Sequence, residues 1–128
     1  MAEDKTRSFG KMTWADITVP NADKLREFYS SVVGWKHEPV EMGGYADYSM
    51  IAADGSIVAG VCHNLGVNED LPAQWLVYIT VEDLGESIKN CIDLGGSIIA
   101  EPKAYGDGKF CVIRDPAGAV AALYEPAQ

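Results

Sequence analysis

No stretch of the chain approaches the roughly 20 consecutive apolar residues that a membrane-spanning helix needs. Basic residues are scarce. Ten Lys and Arg stand against 19 Asp and Glu, a net charge of −9. That balance argues against nucleic acid and membranes as partners, because phosphates and anionic lipids demand a basic face. It is compatible with a cationic ligand drawn by an acidic surface, but a charge that only aids solubility is the leading account. The three cysteines, Cys62, Cys91 and Cys111, are odd in number and widely spaced, which excludes a disulfide framework and a zinc pattern. Each lies among apolar residues, as reduced thiols do, so a cytoplasmic location is expected. The start, Met1-Ala2-Glu3-Asp4-Lys5, lacks the apolar run of a signal peptide, and residues up to Gly10 are expected to be loosely held. No P-loop, dinucleotide fingerprint or nucleophile elbow occurs; Gly43-Gly44 and Gly106-Asp107-Gly108 have turn spacing.

What the chain does contain is a repeat. Ile17-Thr18-Val19 recurs as Ile79-Thr80-Val81, and Gly34 recurs as Gly96 at the same offset. Asp54-Gly55 is echoed by Asp115-Pro116-Ala117-Gly118, and an apolar segment follows each. A repeat that fills the chain means two copies of one supersecondary unit. The expected place for a site is then the concave surface between the copies. The 128 residues, 48% of them hydrophobic, suffice for a single domain with one core.

Periodicity assigns the elements. Residues 13–19 alternate and are rich in strand formers. Asn21 is placed to cap a helix whose Leu25, Phe28, Tyr29, Val32 and Val33 form one buried stripe, ended by Gly34. Strands are expected at 35–42, 45–52 and 56–63, with Pro39 marking an edge. The unit spans 12–65, a linker 66–72, and the second unit 73–125. In the second unit a strand at 74–81 leads to a helix capped by Asp83, with Leu84, Ile88, Cys91 and Ile92 on its apolar face. Strands at 97–101, 109–114 and 119–125 complete it. The class is α+β: two pseudo-symmetric βαβββ units forming a partly open, cup-shaped mixed β-sheet with helices on the outer face.

Two such units, with Glu27-Phe28-Tyr29, Gly34-Trp35, Tyr78-Ile79-Thr80-Val81-Glu82-Asp83, Leu94-Gly95-Gly96 and Arg114-Asp115-Pro116-Ala117-Gly118 in order, resemble the vicinal oxygen chelate superfamily. That superfamily includes glyoxalase I, bleomycin-resistance proteins and extradiol dioxygenases. The resemblance covers residues 12–125 and implies this fold and a homodimer. It also implies a metal site built from the first and last strands of each unit, normally of His, Glu or Gln. Those positions align with Trp14, Ala59, Leu76 and Ala122, none of which can coordinate a divalent metal. A register error of one residue would substitute Val58 or Gly60 for Ala59, neither a ligand. No metal and no cofactor are therefore expected.

Strand parity assigns a ligand-binding surface. Trp14, Asp16 and Thr18 share one face of the first strand, and Leu76, Tyr78 and Thr80 share the matching face of the repeat. Ala59, Val61, Ala122 and Tyr124 are expected to join them. The result is an apolar concavity with a few polar groups, as small-molecule pockets have; a closed core is the competing account. Asp16 is the one candidate catalytic residue. Buried and unpaired, it would have a raised pKa and could act as a base or bind an amine. Paired with a cation or solvated at the rim, it would do neither. His37 reads as a surface residue, and His63 ends its strand near the mouth. Arg114 reads as half of a structural salt bridge. Lys103, Tyr105 and Lys109 flank a Gly-rich hairpin with the make-up of a flap.

The leading expectation is a metal-independent binder of an unidentified small organic molecule. The alternative is a lyase or isomerase using Asp16 as base, or a metal enzyme with its ligands elsewhere. A companion domain acting inside a partner complex is a third possibility.

Overall fold

A computed structural model describes residues 8–127. Among them the chain forms β1 (Met12–Val19), α1 (Ala22–Val33), β2 (Lys36–Glu41), β3 (Ala46–Ile51) and β4 (Ile57–His63). After a 3-10 turn at Gly66–Asn68 come β5 (Trp75–Thr80), α2 (Leu84–Asp93), β6 (Ser97–Tyr105), β7 (Gly108–Arg114) and β8 (Val120–Glu125). The βαβββ pattern occurs twice, and the fold is α+β.

Contacts divide the described residues into two compact units, one of Trp14–Trp75 and one of residues 8–13 with 76–127. Met12 and Thr13, at the start of β1, thus belong with the second unit, and Trp75 with the first. The reason for the first assignment is local: Gly10 N donates to Thr80 O at 2.7 Å and Thr80 N donates to Lys11 O at 2.9 Å. The expectation of a loose N-terminus is corrected at Gly10 by those bonds; residues 1–7 lie outside the described part.

In the first unit the strands run in the order β2-β3-β4-β1. β1 and β4 are parallel, and β3 is antiparallel to both β4 and β2. In the second unit the order is β5-β8-β7-β6, with β5 parallel to β8 and the other pairs antiparallel. Each is an open mixed sheet, because the helix carries the chain back to lay the fourth strand beside the first in parallel. β6 is longer than the expected 97–101. It continues through Pro102 to Tyr105, with register shifts between Ile98 and Lys103. Pro102 lacks the N–H that a ladder uses, and a bulge on the last strand in the order absorbs it.

Helix boundaries follow their capping residues. Asn21 Oδ1 accepts from Lys24 N at 3.1 Å, and Asp83 Oδ1 accepts from Glu86 N at 3.0 Å. α1 ends at Gly34, whose φ of +86° suits a residue without Cβ.

In the first unit Ile17, Ala22, Tyr48, Met50, Ala59 and Val61 make the core beneath α1, with Leu25, Tyr29, Trp35 and Trp75 packed against it. Trp75 Nε1 donates to Tyr29 OH at 2.9 Å, satisfying the indole where it is half-buried. The expected stripe of α1 is corrected: Phe28, Val32 and Val33 are 53%, 64% and 51% exposed. The sheet covers one row of the helix, and the apolar arc is wider than that row. The second unit repeats this. Leu84, Cys111 and Leu123 are buried under α2 with Ile88, while Ile92, expected in the apolar face, is exposed.

Candidate functional site

Because Ile17 and Val19 lie under α1, strand alternation sends Trp14, Asp16 and Thr18 to the opposite face of the first unit. Asp16 and Thr18 are buried there, and Trp14 is half-buried. The register brings Gly60 beside Asp16 and Cys62 beside Thr18. Ala59 and Val61 point the other way, into the core under α1. The expectation that Ala59 joins the Asp16 face is therefore corrected by one residue, and Gly60 takes its place. The substitution matters sterically. A Cβ on Gly60 would lie 3.2 Å from Asp16 Cβ and 3.3 Å from Trp14 Cζ2, so the absent side chain lets the indole cross β4. Trp14 Nε1 in turn donates to Asp16 Oδ2 at 3.3 Å. Asp16 is thus buried but not unpartnered.

Parity on β3, where Tyr48 and Met50 are core, adds Asp47 to this face. Asp47 is buried, and its Oδ1 accepts from His63 N at 2.8 Å. Between Asp16 and Asp47 sits the Cys62 thiol. Burial, the charges of Asp16 and Asp47, and a hydrogen bond to Asp47 push its pKa far above the ordinary thiol value. Cys62 is therefore a neutral S–H donor and not a thiolate nucleophile.

At the end of the same sheet a second polar group gathers on the α1 side. Tyr48 donates its hydroxyl to Asp23 Oδ1, and Arg26 lies 4.5 Å over the Tyr48 ring. The bond to Asp23, then burial and the Asp23 charge, raise the phenol pKa against the opposing pull of Arg26. His63 Nε2 is 3.9 Å from Asp23 Oδ1, and Nδ1 is 3.4 Å from Asp47 Oδ1 but off the axis for a hydrogen bond. The Tyr45 ring stands edge-on to the imidazole at 5.7 Å. His37 lies on the outside, 3.5 Å from Ser30 Oγ.

In the second unit Leu76, Tyr78, Thr80, Ala122 and Tyr124 share the face away from α2, since Ile79, Val81 and Leu123 pack under that helix. Tyr78 is paired with Ala122 and Thr80 with Tyr124. Thr80 Oγ1 lies 2.7 Å from Thr13 Oγ1, which satisfies a buried hydroxyl. Phe110, opposite Tyr124, brings a further ring to this face. Arg114 Nη1 donates to Gly118 O at 3.2 Å, across the β7–β8 turn.

Asp47, Cys62 and Phe110 are face residues that sequence reading passed over, and Gly60 entered it only as the register alternative to Ala59. The core position of Tyr48 would have pointed to Asp47. Gly60 and Cys62 follow only from the β1–β4 register. Among the described residues no three His, Cys, Asp or Glu side chains converge as a metal site requires.

CFP32 of Mycobacterium tuberculosis (strain CDC 1551 / Oshkosh), named as a candidate glyoxylase, is 31% identical over 120 residues, 91% of this chain and 46% of that protein. The anthracycline biosynthesis protein DnrV of Streptomyces peucetius is 30% identical over 128 residues, 90% of this chain and 46% of that protein. The chain thus spans about half the length of these relatives. Among solved structures, Streptomyces coelicolor methylmalonyl-CoA epimerase in complex with 2-nitronate-propionyl-CoA superposes with a TM-score of 0.60 at 14% identity, over 94% of this chain and 100% of that one. Methylmalonyl-CoA epimerase of Mycobacterium tuberculosis gives 0.54 at 20% identity, over 89% and 86%. Both speak for the fold alone. The profile of the glyoxalase/bleomycin resistance protein/dioxygenase superfamily matches residues 11–123. With that match, two βαβββ units and relatives at 30% and 31% identity, the chain belongs to this superfamily.

Proposed function

We propose that this protein binds a small organic molecule on the sheet face that carries Trp14, Asp16, Thr18, Asp47 and Cys62, and that it does so without a resident divalent metal. The observation that supports it most is the Trp14 indole. It is half-buried and laid across Gly60, and its Nε1 donates to the buried Asp16 at 3.3 Å. A flat apolar surface with a few anchored polar groups is how small-molecule sites obtain both affinity and orientation. The donor set opposes a metal: the resemblance aligns the family's ligand positions with Trp14, Ala59, Leu76 and Ala122, the β1–β4 register would put Gly60 in place of Ala59, and no lone pair at any of them suits a divalent cation. The relatives named for anthracycline biosynthesis set the first compounds to try.

The test is a thermal-shift and tryptophan-quenching screen of the wild type and Trp14→Ala, using anthracyclines and their aromatic precursors. A ligand that stabilises the wild type and loses most of its effect in Trp14→Ala supports the reading. Retained quenching and stabilisation in the variant would reject it.

A lyase or isomerase reading rests on Asp16, a buried carboxylate oriented by an indole N–H. Turnover of a bound ligand that stops in Asp16→Asn, with binding kept, would favour it. A homodimer belongs to this proposal. So does a reducing, cytoplasmic setting, in keeping with free Cys62, Cys91 and Cys111. Among the described residues no helix is long and apolar enough to cross a membrane.

A further inference from the structure

Four rings meet on the face of the second unit away from α2. Tyr78, Phe110 and Tyr124 project from the interior of β5, β7 and β8, where cross-strand pairing holds their backbones. Phe110 lies opposite Tyr124, and Tyr78 and Phe110 stand 5.6 Å apart with a tilt of 45°. The fourth ring is placed differently. Tyr105 is the last residue of β6, paired with Gly108 across a turn of Gly106 and Asp107. Gly106 has a φ of +57°, the sign a II′ hairpin turn requires at its first central residue.

The ring of Tyr105 stands edge-to-face against all three others. Centroid distances are 5.6 Å to Tyr78, 5.3 Å to Phe110 and 6.0 Å to Tyr124, with interplanar angles of 66°, 89° and 74°. Gly108 makes room for this. A Cβ there would sit 2.7 Å from Tyr124 OH and 2.8 Å from its Cζ, so the Tyr124 ring lies over bare backbone. Lys109 pairs with Glu125 in the β7–β8 ladder, and its Nζ lies 3.6 Å from Oε2 of the largely buried Glu125, so the hairpin is held to β8 as far as Lys109. Tyr105 is therefore a ring at the hairpin tip, just beyond the last β7–β8 ladder pair, Lys109 with Glu125, and it fills a slot whose walls belong to the body of the sheet.

We propose that Tyr105 is a displaceable plug, and that the slot among Tyr78, Phe110 and Tyr124 is a binding site for a flat aromatic ring. The inference rests on the small-molecule reading and adds a ligand class to it. Near-perpendicular packing against three rings at 5.3–6.0 Å suits another aromatic, whose positive edge and negative face both find a complement there. The inserted group is thus a flat aromatic, one ring thick. A saturated ring of the same outline is thicker and has no quadrupole. On entry the ligand takes over the ring contacts of Tyr105, and the hairpin tip from Ala104 to Gly108 moves out.

The experiment uses the full chain, with 2-naphthol as probe and its decahydro analogue as control. Calorimetry gives affinity, and hydrogen exchange reads the amides of residues 104–108. The wild type should bind 2-naphthol, bind the saturated analogue at least about tenfold more weakly, and exchange the 104–108 amides faster when bound. Tyr105→Ala should bind 2-naphthol about tenfold more tightly than the wild type, since no ring has to leave. Slowed or unchanged exchange in the bound wild type would overturn the proposal, and that measurement needs no variant. So would equal affinity for the saturated analogue. Binding by Tyr105→Ala with none by the wild type at millimolar probe also overturns it, as the variant would merely be filling its own cavity. A screening hit that depends on Trp14 but leaves the 104–108 amides unmoved rejects the slot and spares the small-molecule reading. Naphthol binding with faster exchange, in a protein whose Trp14 responds to nothing, keeps the slot and rejects the placement on the Trp14 face.

Discussion

Tyr48 donates its hydroxyl to Asp23 Oδ1, and that bond ties the middle of β3 to the first turn of α1. The hydroxyl is the polar tip of a core ring, while the carboxylate is mostly in water, so the bond gains from charge and loses to screening. Tyr48→Phe should cost about 1 kcal/mol in urea unfolding at neutral pH. The pH dependence has a definite sign. The folded phenol pKa is raised above the ordinary value of 10.0, so the folded state holds this proton more tightly than the unfolded state. The contribution is complete below that ordinary value and declines as pH rises above it toward the folded pKa. Tyr48→Phe should lack this alkaline loss. Parallel curves for the two proteins at high pH would reject the account.

Two glycine replacements should move stability in opposite directions. At Gly85, near the start of α2, the nearest neighbour of a new Cβ is Asp83 Oδ1 at 3.5 Å, an ordinary contact. Gly85→Ala should stabilise by about 0.5 kcal/mol through helix propensity. At Gly108 the new Cβ would fall 2.2 Å from Glu125 O, and backbone must shift. Gly108→Ala should cost about 2 kcal/mol or more, since overpacking here displaces main chain and not a flexible tip. Thermal unfolding of both variants checks the pair.

The thiols should differ in reactivity. Burial pushes the Cys111 pKa up to about 11, and Cys62 is raised further by burial between Asp16 and Asp47. Alkylation of the native protein at mildly alkaline pH should modify Cys91 first and leave Cys62 and Cys111 until unfolding. Mass spectrometry of digested samples gives the order. Early labelling of Cys62 would contradict the electrostatics of the proposed ligand face.

Removing Trp14 tests that face directly. If the indole is a central anchor, Trp14→Ala should weaken ligand binding by about 2 kcal/mol or more. Gly60→Ala should weaken it too, because its Cβ would press on Trp14 Cζ2 and Asp16 Cβ. Titration calorimetry with a hit from the screen reads both.

Assembly is checked by light scattering. A dimer mass at micromolar concentration is expected, and a monomer mass would reject it.

Local chemistry was legible in the sequence. The recurrence of Ile17-Thr18-Val19 as Ile79-Thr80-Val81 located β1 and β5, and Asn21 and Asp83 announced the helices they cap. Alternation assigned Trp14, Asp16 and Thr18 to one side of their strand and Ile17 and Val19 to the other. These are properties of a few consecutive residues: turn propensity, cap geometry and a period of two.

Tertiary structure decided which residues of other strands share those sides. Counting from the turn at Asp54-Gly55 placed Ala59 beside Asp16, but β4 pairs with β1 so that Gly60 stands there, and one residue of register exchanges the two faces of a strand. The apolar stripe of α1 was visible, yet only packing against the sheet determined that Leu25 and Tyr29 are covered and Phe28, Val32 and Val33 are not. The same holds for Cys62 between two carboxylates and for Tyr48 with Asp23. Their partners are distant in the chain, and no local period carries information about which distant group arrives. Propensity and alternation act within one element, whereas register and docking depend on how several elements together bury the most apolar surface.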